Sequence, residues 1–261
     1  MDRDVTRQVV TIVSYLVTVI VNGAAVAIPL GGRTTAEISD LFPVLVVPAN
    51  YVFSIWSAIY LLLLGFTVWQ ALPGNRESGA LRRLGYLPAL TGLLNTAWVL
   101  LWQYQVFVLT VPVMVALLLT LIAIWQRLRE PRPGAAPAAQ GWLVALPFSV
   151  YLGWISIATI ANVSQMLYHA GFRGVIVPES IWAVGVLGLG LAIATVMVLR
   201  RRDVAYGAVI AWAYGGIAVK QAGTELLSAF AVAGAVYVLA LMVIVIIRAR
   251  PGTTPAVRRP A

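Results

Sequence analysis

The sequence predicts an all-α integral membrane protein with about eight transmembrane helices. Of its 261 residues, 61% are hydrophobic and only 10% are charged, and the mean hydropathy is +0.91. A soluble domain of this length carries about 25% charged residues. The apolar residues also come in blocks of about 20, the length that a helix needs to cross a bilayer. Such blocks are too long and continuous for barrel strands, so each block is predicted to be a helix.

The spans are separated by short breakers rich in glycine, proline and charge. GGRTT follows the first span, PGNRESG the second, EPRPGAAP the fourth and GFRG the fifth, and QYQVF makes a tight hairpin of the third and fourth. The first block is interpreted as a retained span, because no small-x-small cleavage site followed by a soluble domain appears. The eight predicted spans are residues 8–30, 50–72, 84–104, 107–128, 141–168, 178–199, 203–220 and 226–248.

The basic residues predict the orientation of these spans. Of the 18 Lys and Arg residues, 15 lie in alternate segments that include both termini, and three lie on the opposite side, namely Arg33, Arg173 and Lys220. Because basic residues concentrate in cytoplasmic loops, both termini are predicted to be cytoplasmic, most simply in a bacterial inner membrane. A missed or invented span would destroy this alternation, so it also supports the count of eight.

Composition excludes several functional classes. The net charge of +9 is explained by topology, so no nucleic-acid partner is expected. The chain has no Cys and one His, too few for a thiolate or histidine metal site. All nine acidic residues lie at predicted helix ends or in loops, which disfavours ion-coupled transport. Lys220 and Glu225 flank one turn and are predicted to form a surface ion pair.

Three predicted helices each carry an aromatic stripe on one face, and the stripes of spans three and five also include an amide side chain. Spacings of three, four and seven residues bring side chains onto one side of a helix. The predicted topology places the three stripes at similar depth, toward the outer side. The stripes are Phe53, Trp56 and Tyr60 in span two, Thr91, Asn95, Trp98 and Trp102 in span three, and Tyr151, Trp154, Ala158 and Asn162 in span five.

Two interpretations of these stripes remain open. Tryptophans near helix ends form interfacial belts and buried amides join helices by hydrogen bonds. Alternatively, the stripes line a pocket that opens outward for a flat apolar ligand, with aromatic walls and amide anchors. The belt explains Trp69, Trp102, Trp125, Trp142 and Trp182, whereas Trp56, Trp98 and Trp154 lie deeper and favour the pocket.

The same residues form motifs that resemble a known family. Pro48-x4-Phe53-x2-Trp56-x3-Tyr60, Asn95-x2-Trp98 and Tyr151-Leu152-x-Trp154-x3-Ala158-Thr159-x2-Asn162 occur in the order seen in the TspO/MBR family. These tryptophan-rich sensory proteins are related to the mitochondrial translocator protein. The resemblance covers roughly residues 8–170. It implies a five-helix bundle that binds porphyrins, and in some members sterols, with Trp56 and Trp154 as the pocket tryptophans and Asn95, Trp98 and Ala158 beside them.

The chain departs from the family in two regions. The family's first loop carries Trp, Lys-Pro, Trp and Pro-Pro and acts as a lid, whereas GGRTTAEISDLFPVLVVPAN contains no Trp or Lys and only Pro48-Ala49. Three further spans follow the core. The predicted organisation is therefore a TspO-like core over 1–170, three additional helices over 171–250 and a cytoplasmic tail over 251–261. Gly215 and Gly216 are predicted to permit close helix packing.

The predicted function is binding of a planar hydrophobic ligand, a tetrapyrrole such as a porphyrin or an isoprenoid-type lipid, for sensing or trafficking. The expected partners are this ligand and membrane lipids, a homodimer is left open, and no metal or obligatory cofactor is predicted. The alternatives are an intramembrane enzyme that alters the ligand, which lacks an acid–base pair in the pocket, or a transporter or assembly subunit. The predicted ligand-binding residues are Phe53, Trp56, Tyr60, Asn95, Trp98, Trp154, Ala158 and Asn162.

Overall fold

The computed structural model describes residues 2–28, 30–129, 141–172 and 177–249, and the regular structure within these ranges is helical. The predicted tail over 251–261 and Arg173 lie outside them. A 3-10 turn at Asn50–Ser54 leads into α3, and π-helical turns at Gly141–Ala145 and Val196–Arg200 precede α7 and follow α8. The α-helices are α1 (Arg3–Ala27), α2 (Thr35–Ser39), α3 (Ile55–Ala71), α4 (Gly79–Leu84), α5 (Leu87–Gln103), α6 (Phe107–Arg129), α7 (Leu146–His169), α8 (Glu179–Thr195), α9 (Val204–Lys220) and α10 (Glu225–Ala249).

Each predicted span corresponds to one helix, which confirms an all-α integral membrane protein. Within the described ranges, six helical stretches are long and apolar enough to cross a membrane, and they contain α1, α3, α6, α7, α8 and α10. The other two spans, α5 and α9, have 17 residues each. The first helix begins five residues earlier than predicted, because the Asp2 side chain accepts from the backbone N–H of Asp4 and caps it.

Five of these helices form a closed ring in the order α1, α5, α6, α7, α3 and back to α1. The α1–α5 contact is close because small and hydroxylated residues meet there. Ser14 Oγ donates to the Ala89 carbonyl at 2.6 Å and Thr18 Oγ1 donates to the Gly92 carbonyl at 3.0 Å. A Cβ atom on Gly92 would lie 2.3 Å from Ser14 Oγ. The ring is the five-helix bundle that the sequence predicts.

The last three helices pack outside this ring. Helix α9 lies against α7 and α10, and α8 lies against α10. The Tyr214 ring of α9 fits between Gly190 of α8 and Gly234 of α10, where added Cβ atoms would approach it to 2.8 and 2.7 Å. An added Cβ on Gly216 would meet Val52 of the 3-10 turn before α3, so the close approach there is to that turn, whereas one on Gly215 would meet nothing within 4 Å. The division of the chain into a core and an additional unit stays a prediction.

A buried carboxylate joins the ring to α9 at the end of the bundle where α1 begins, called here the terminal end. Asp203 accepts hydrogen bonds from Trp125 Nε1 at 2.7 Å, Arg129 Nη2 at 3.0 Å and the Tyr206 backbone N–H at 3.1 Å. The Ser149 hydroxyl also donates to it. The four donors come from α6, α7 and α9. Trp125 thus has a specific partner here, beyond the membrane-belt role predicted for it.

Candidate ligand-binding site

A cavity of about 40 Å³ lies inside the ring near the end opposite the terminal end. Its wall includes six of the eight predicted site residues, and their side chains come from three separate segments of the chain. The 3-10 turn and the start of α3 supply Phe53 and Trp56, α5 supplies Trp98, and α7 supplies Trp154, Ala158 and Asn162. The fold therefore brings these residues onto one cavity wall, and their contact with a ligand stays a prediction.

Aromatic rings make most of this wall. The Trp56 and Trp154 ring centroids are 6.1 Å apart and nearly perpendicular, and Phe53 packs edge-on to Trp154 at 5.9 Å. Trp98 and Trp102 stack at 5.2 Å with 16° between their planes. Trp102 is predicted to lie in the interfacial belt, but it is only 2% exposed and lines the cavity. Its position four residues after Trp98, on the same helix face, is the signal that identifies it.

The polar groups of the wall differ in whether they are satisfied. The Asn162 side chain accepts from Trp98 Nε1 at 3.4 Å and donates to Thr110 Oγ1 at 3.0 Å. The Trp154 indole N–H, by contrast, is buried and has no acceptor among the described residues. A buried donor without an acceptor costs about 1–3 kcal/mol. A ligand oxygen placed beside Trp154 Nε1 would therefore remove an existing penalty.

Two predicted site residues, Tyr60 and Asn95, are not on the cavity wall. Tyr60 stacks on Trp56 at 5.5 Å with 17° between the rings, so it supports the wall from behind. Asn95 accepts from Asn22 Nδ2 at 2.8 Å and donates to the Tyr151 hydroxyl at 3.0 Å. Its amide therefore joins α1, α5 and α7, and these bonds occupy both of its functional groups.

The segment between α1 and α3, residues 30–54, covers the cavity and is called the lid here. Thr34 and Glu37 form a reciprocal capping box that starts α2. Trp102 Nε1 donates to the Thr35 carbonyl and Gln103 Nε2 donates to Thr35 Oγ1, both at 3.1 Å. Two further lid contacts reach the cavity wall: Gln165 Nε2 donates to Ser39 Oγ at 2.8 Å, and Pro48 lines the cavity directly. A lid without Trp or Lys is thus held by amide and indole donors of the ring.

Helix α9 holds the lid from outside the ring. The Ala49 N–H donates to the Gly216 carbonyl at 3.0 Å, and Trp212 Nε1 donates to the Val52 carbonyl at 3.2 Å. Glycine at 216 permits this approach because any side chain would clash with Val52. The additional helices thus contribute to the cover of the cavity.

A charged contact, called the lid clasp, completes this attachment. Lys220 Nζ donates to Asp40 Oδ1 and Asn50 Nδ2 donates to Asp40 Oδ2, each at 2.6 Å. The predicted Lys220–Glu225 ion pair is therefore wrong, because the lid brings Asp40 to Lys220. Partial burial raises the pKa of Asp40, but the hydrogen bonds from Lys220 and Asn50 outweigh it and hold the pKa below its ordinary value of 3.8. A lowered folded-state pKa means that this stabilisation is present above about pH 4 and is lost as pH falls through the lowered pKa.

Lys220→Met is expected to loosen the lid without unfolding the ring. Partly exposed ion pairs contribute roughly 0.2–1 kcal/mol, so hydrogen exchange of lid amides over residues 36–49 should become about 1.5- to 5-fold faster. Glu225→Gln is the control, because its carboxylate has no partner among the described residues. Equal exchange in Lys220→Met and Glu225→Gln would show that the clasp does not hold the lid. In wild type, exchange of the lid amides should become faster below about pH 4, because protonation of Asp40 weakens the clasp. Asp40→Asn has no carboxylate at this position, so it should lack this pH-dependent increase.

The fold and the cavity together define a helical membrane protein in which a five-helix ring surrounds a lid-covered aromatic cavity. A family model described as TSPO-like protein matches residues 8–247, and the chain therefore belongs to the TSPO-like protein family. The match extends over α8, α9 and most of α10, well beyond the residues 8–170 that carry the motif resemblance. Among curated proteins and among solved structures, none matches the chain.

Proposed function

We propose that the protein binds a planar hydrophobic ligand, a porphyrin-like tetrapyrrole or an isoprenoid-type lipid, in the aromatic cavity beneath the lid, for sensing or trafficking. The observation that carries this proposal is the convergence of Trp56, Trp98, Trp102 and Trp154 on one cavity wall. Indole faces bury large areas of flat apolar molecules and stack on their π-systems. Membership of the TSPO-like family supports a membrane protein of the TspO type.

The size of the cavity indicates how such a ligand would enter. Sites for ligands of this size have volumes of about 300–1,000 Å³, whereas this cavity has about 40 Å³. Thr35, Ser39 and Pro48 of the lid lie on its wall. Displacing the lid is thus the direct way to enlarge the site, since the other walls belong to packed ring helices. We infer that ligand binding replaces the contacts between the lid and the ring.

The direction of entry follows from the predicted topology. Because the basic residues predict that both termini are cytoplasmic, the lid would lie at the opposite, outer side. A ligand would then arrive from the outer leaflet or the periplasmic side of a bacterial inner membrane. Within the site, the free Trp154 indole N–H is the proposed anchor for a ligand carboxylate, carbonyl or hydroxyl.

Quenching of tryptophan fluorescence by protoporphyrin IX tests this proposal on the detergent-purified protein. Wild type is expected to show saturable quenching. Trp154→Phe keeps an aromatic ring and removes the N–H donor, so its affinity should fall about tenfold, the effect of one lost buried hydrogen bond. Trp69→Phe is the matched control because Trp69 lies off the cavity wall. Equal affinities in the two variants, or quenching that never saturates in a folded sample, would contradict the proposal.

A further inference from the structure

A second space, larger than the aromatic cavity, lies at the terminal end of the bundle, opposite the lid. This groove has a volume of about 380 Å³ and lies between the end of α6, the beginning of α7 and the turn between α8 and α9. Its wall combines apolar side chains with arginines, among them Leu128, Trp142, Leu146, Arg129 and Arg202. A volume above 300 Å³ is in the range of sites that hold small ligands.

The wall of this groove carries a net positive charge, because Asp203 is paired with Arg129 and Arg202 has no such partner within the described ranges. Arg129 and Arg202 line it, and Arg200 and Arg201 precede Arg202 in the same turn. Asp203 is the acidic residue on the wall, and four donors engage its two carboxylate oxygens. Because this carboxylate is already hydrogen-bonded on both oxygens, it has little capacity left for a cation. An anion is therefore the favoured ligand.

Arg202 is the residue most available to such an anion. Its guanidinium has no hydrogen-bond or ion-pair partner within the described ranges, and the residue is exposed. Its backbone also adopts φ +53°, a left-handed conformation that residues with a Cβ atom disfavour. Such strained positions are enriched at functional sites. Glycine would make this turn without strain, whereas arginine places a charge at the mouth of the groove.

The apolar part of the groove favours a lipid over a free anion. The flanking stretches Phe107–Arg129 and Glu179–Arg200 are long and apolar enough to cross a membrane, so their ends at Arg129 and Arg200 lie at its interface. Trp142 is 69% exposed at the groove, as expected for a tryptophan at the headgroup level. Leu128 and Leu146 offer apolar surface beside the arginines. We propose that this groove binds one phospholipid with an anionic headgroup, its phosphate at Arg202 beside the Arg129–Asp203 pair and an acyl chain along the apolar wall.

The net charge of the headgroup determines the expected selectivity. Phosphatidylglycerol presents a phosphodiester charge without a compensating ammonium, whereas phosphatidylcholine carries both. Basic pockets between transmembrane helices on the cytoplasmic side are known to hold anionic headgroups. Phosphatidylglycerol should therefore bind more tightly than phosphatidylcholine of the same acyl chains.

Native mass spectrometry of the detergent-purified full chain, titrated with each lipid, tests this proposal. Wild type should retain one phosphatidylglycerol at concentrations where phosphatidylcholine is not retained. Arg202→Gln should weaken this retention about fivefold, the effect of one basic residue at an anionic surface. Arg248→Gln is the matched control, since Arg248 lies at the same end but off the groove wall, and it should behave as wild type.

Three outcomes would overturn the proposal. Equal retention of both lipids, or equal weakening by Arg202→Gln and Arg248→Gln, would mean that the groove does not select an anionic phospholipid. Displacement of bound lipid by glycerol 3-phosphate at a similar concentration would mean that the site recognises a free phosphate instead. The double variant Leu128→Gln/Leu146→Gln provides an independent test of the acyl-chain contact, because it should weaken phosphatidylglycerol retention while the arginines remain. Unchanged melting temperatures in lipid-free detergent establish that each variant is folded.

Discussion

Ala158→Leu is expected to weaken protoporphyrin IX binding on the order of 100-fold while leaving the fold intact. Ala158 lines the aromatic cavity on α7, beside Trp154. Leucine adds three carbon atoms, and the cavity of about 40 Å³ has room for about three water-sized groups at roughly 10–15 Å³ each. In the free protein the cavity accommodates much of this addition. In the complex the ligand and the leucine compete for one space, and overpacking costs about 1–3 kcal/mol.

The control for this prediction is a leucine added elsewhere by the same substitution. Ala192 is exposed on α8 and lies off the cavity wall, so Ala192→Leu should leave porphyrin affinity unchanged. The quenching titration used for wild type measures both variants, and their melting temperatures show whether each is folded. An affinity of Ala158→Leu within threefold of wild type would place the ligand outside this cavity. That result would not bear on the phospholipid proposed for the groove at the terminal end.

Asp203→Ala is expected to destabilise the protein by about 3–5 kcal/mol. Removing an acceptor leaves each buried donor that it served unsatisfied, at a cost of about 1–3 kcal/mol per donor. Here the substitution leaves the Trp125 and Arg129 donors, the Ser149 hydroxyl and the Tyr206 N–H without their shared acceptor. Those groups belong to α6, α7 and α9, so the substitution should weaken the contact between α9 and the two ring helices.

Unfolding in mixed micelles with increasing mole fraction of dodecyl sulfate measures this effect. Glu225→Ala serves as the control, because Glu225 is an exposed carboxylate in the first turn of α10 and should contribute below about 1 kcal/mol. Asp203→Asn keeps one acceptor oxygen and should fall between wild type and Asp203→Ala. If Asp203→Ala and Glu225→Ala unfold at the same mole fraction of dodecyl sulfate, the hydrogen bonds of Asp203 do not hold α9 to the ring.

Much of the cavity follows from residue spacing within single helices. Trp98 follows Asn95 by three residues, and Trp154 precedes Ala158 by four, so each helix exposes a recognisable face. The spacing did not distinguish residues that line the cavity from residues on the same helix face that pack behind its wall. Asn95 faces Asn22 and Tyr151, and Trp102 lies on the wall although its place near a helix end suggested the membrane belt. Periodicity identifies the face of a helix and leaves open which neighbour that face meets.

The sequence by itself determined the membrane class, the number of spans and the family motifs. These properties depend on local quantities: the length of an apolar block, the alternation of arginines and the spacing of aromatic residues along one helix. Only the tertiary structure decided how the lid is held and how α9 joins the ring. Lys220 meets Asp40 across 180 residues of chain, and Asp203 collects donors from three helices. Such contacts depend on how whole helices pack, and no pattern within one helix encodes that arrangement.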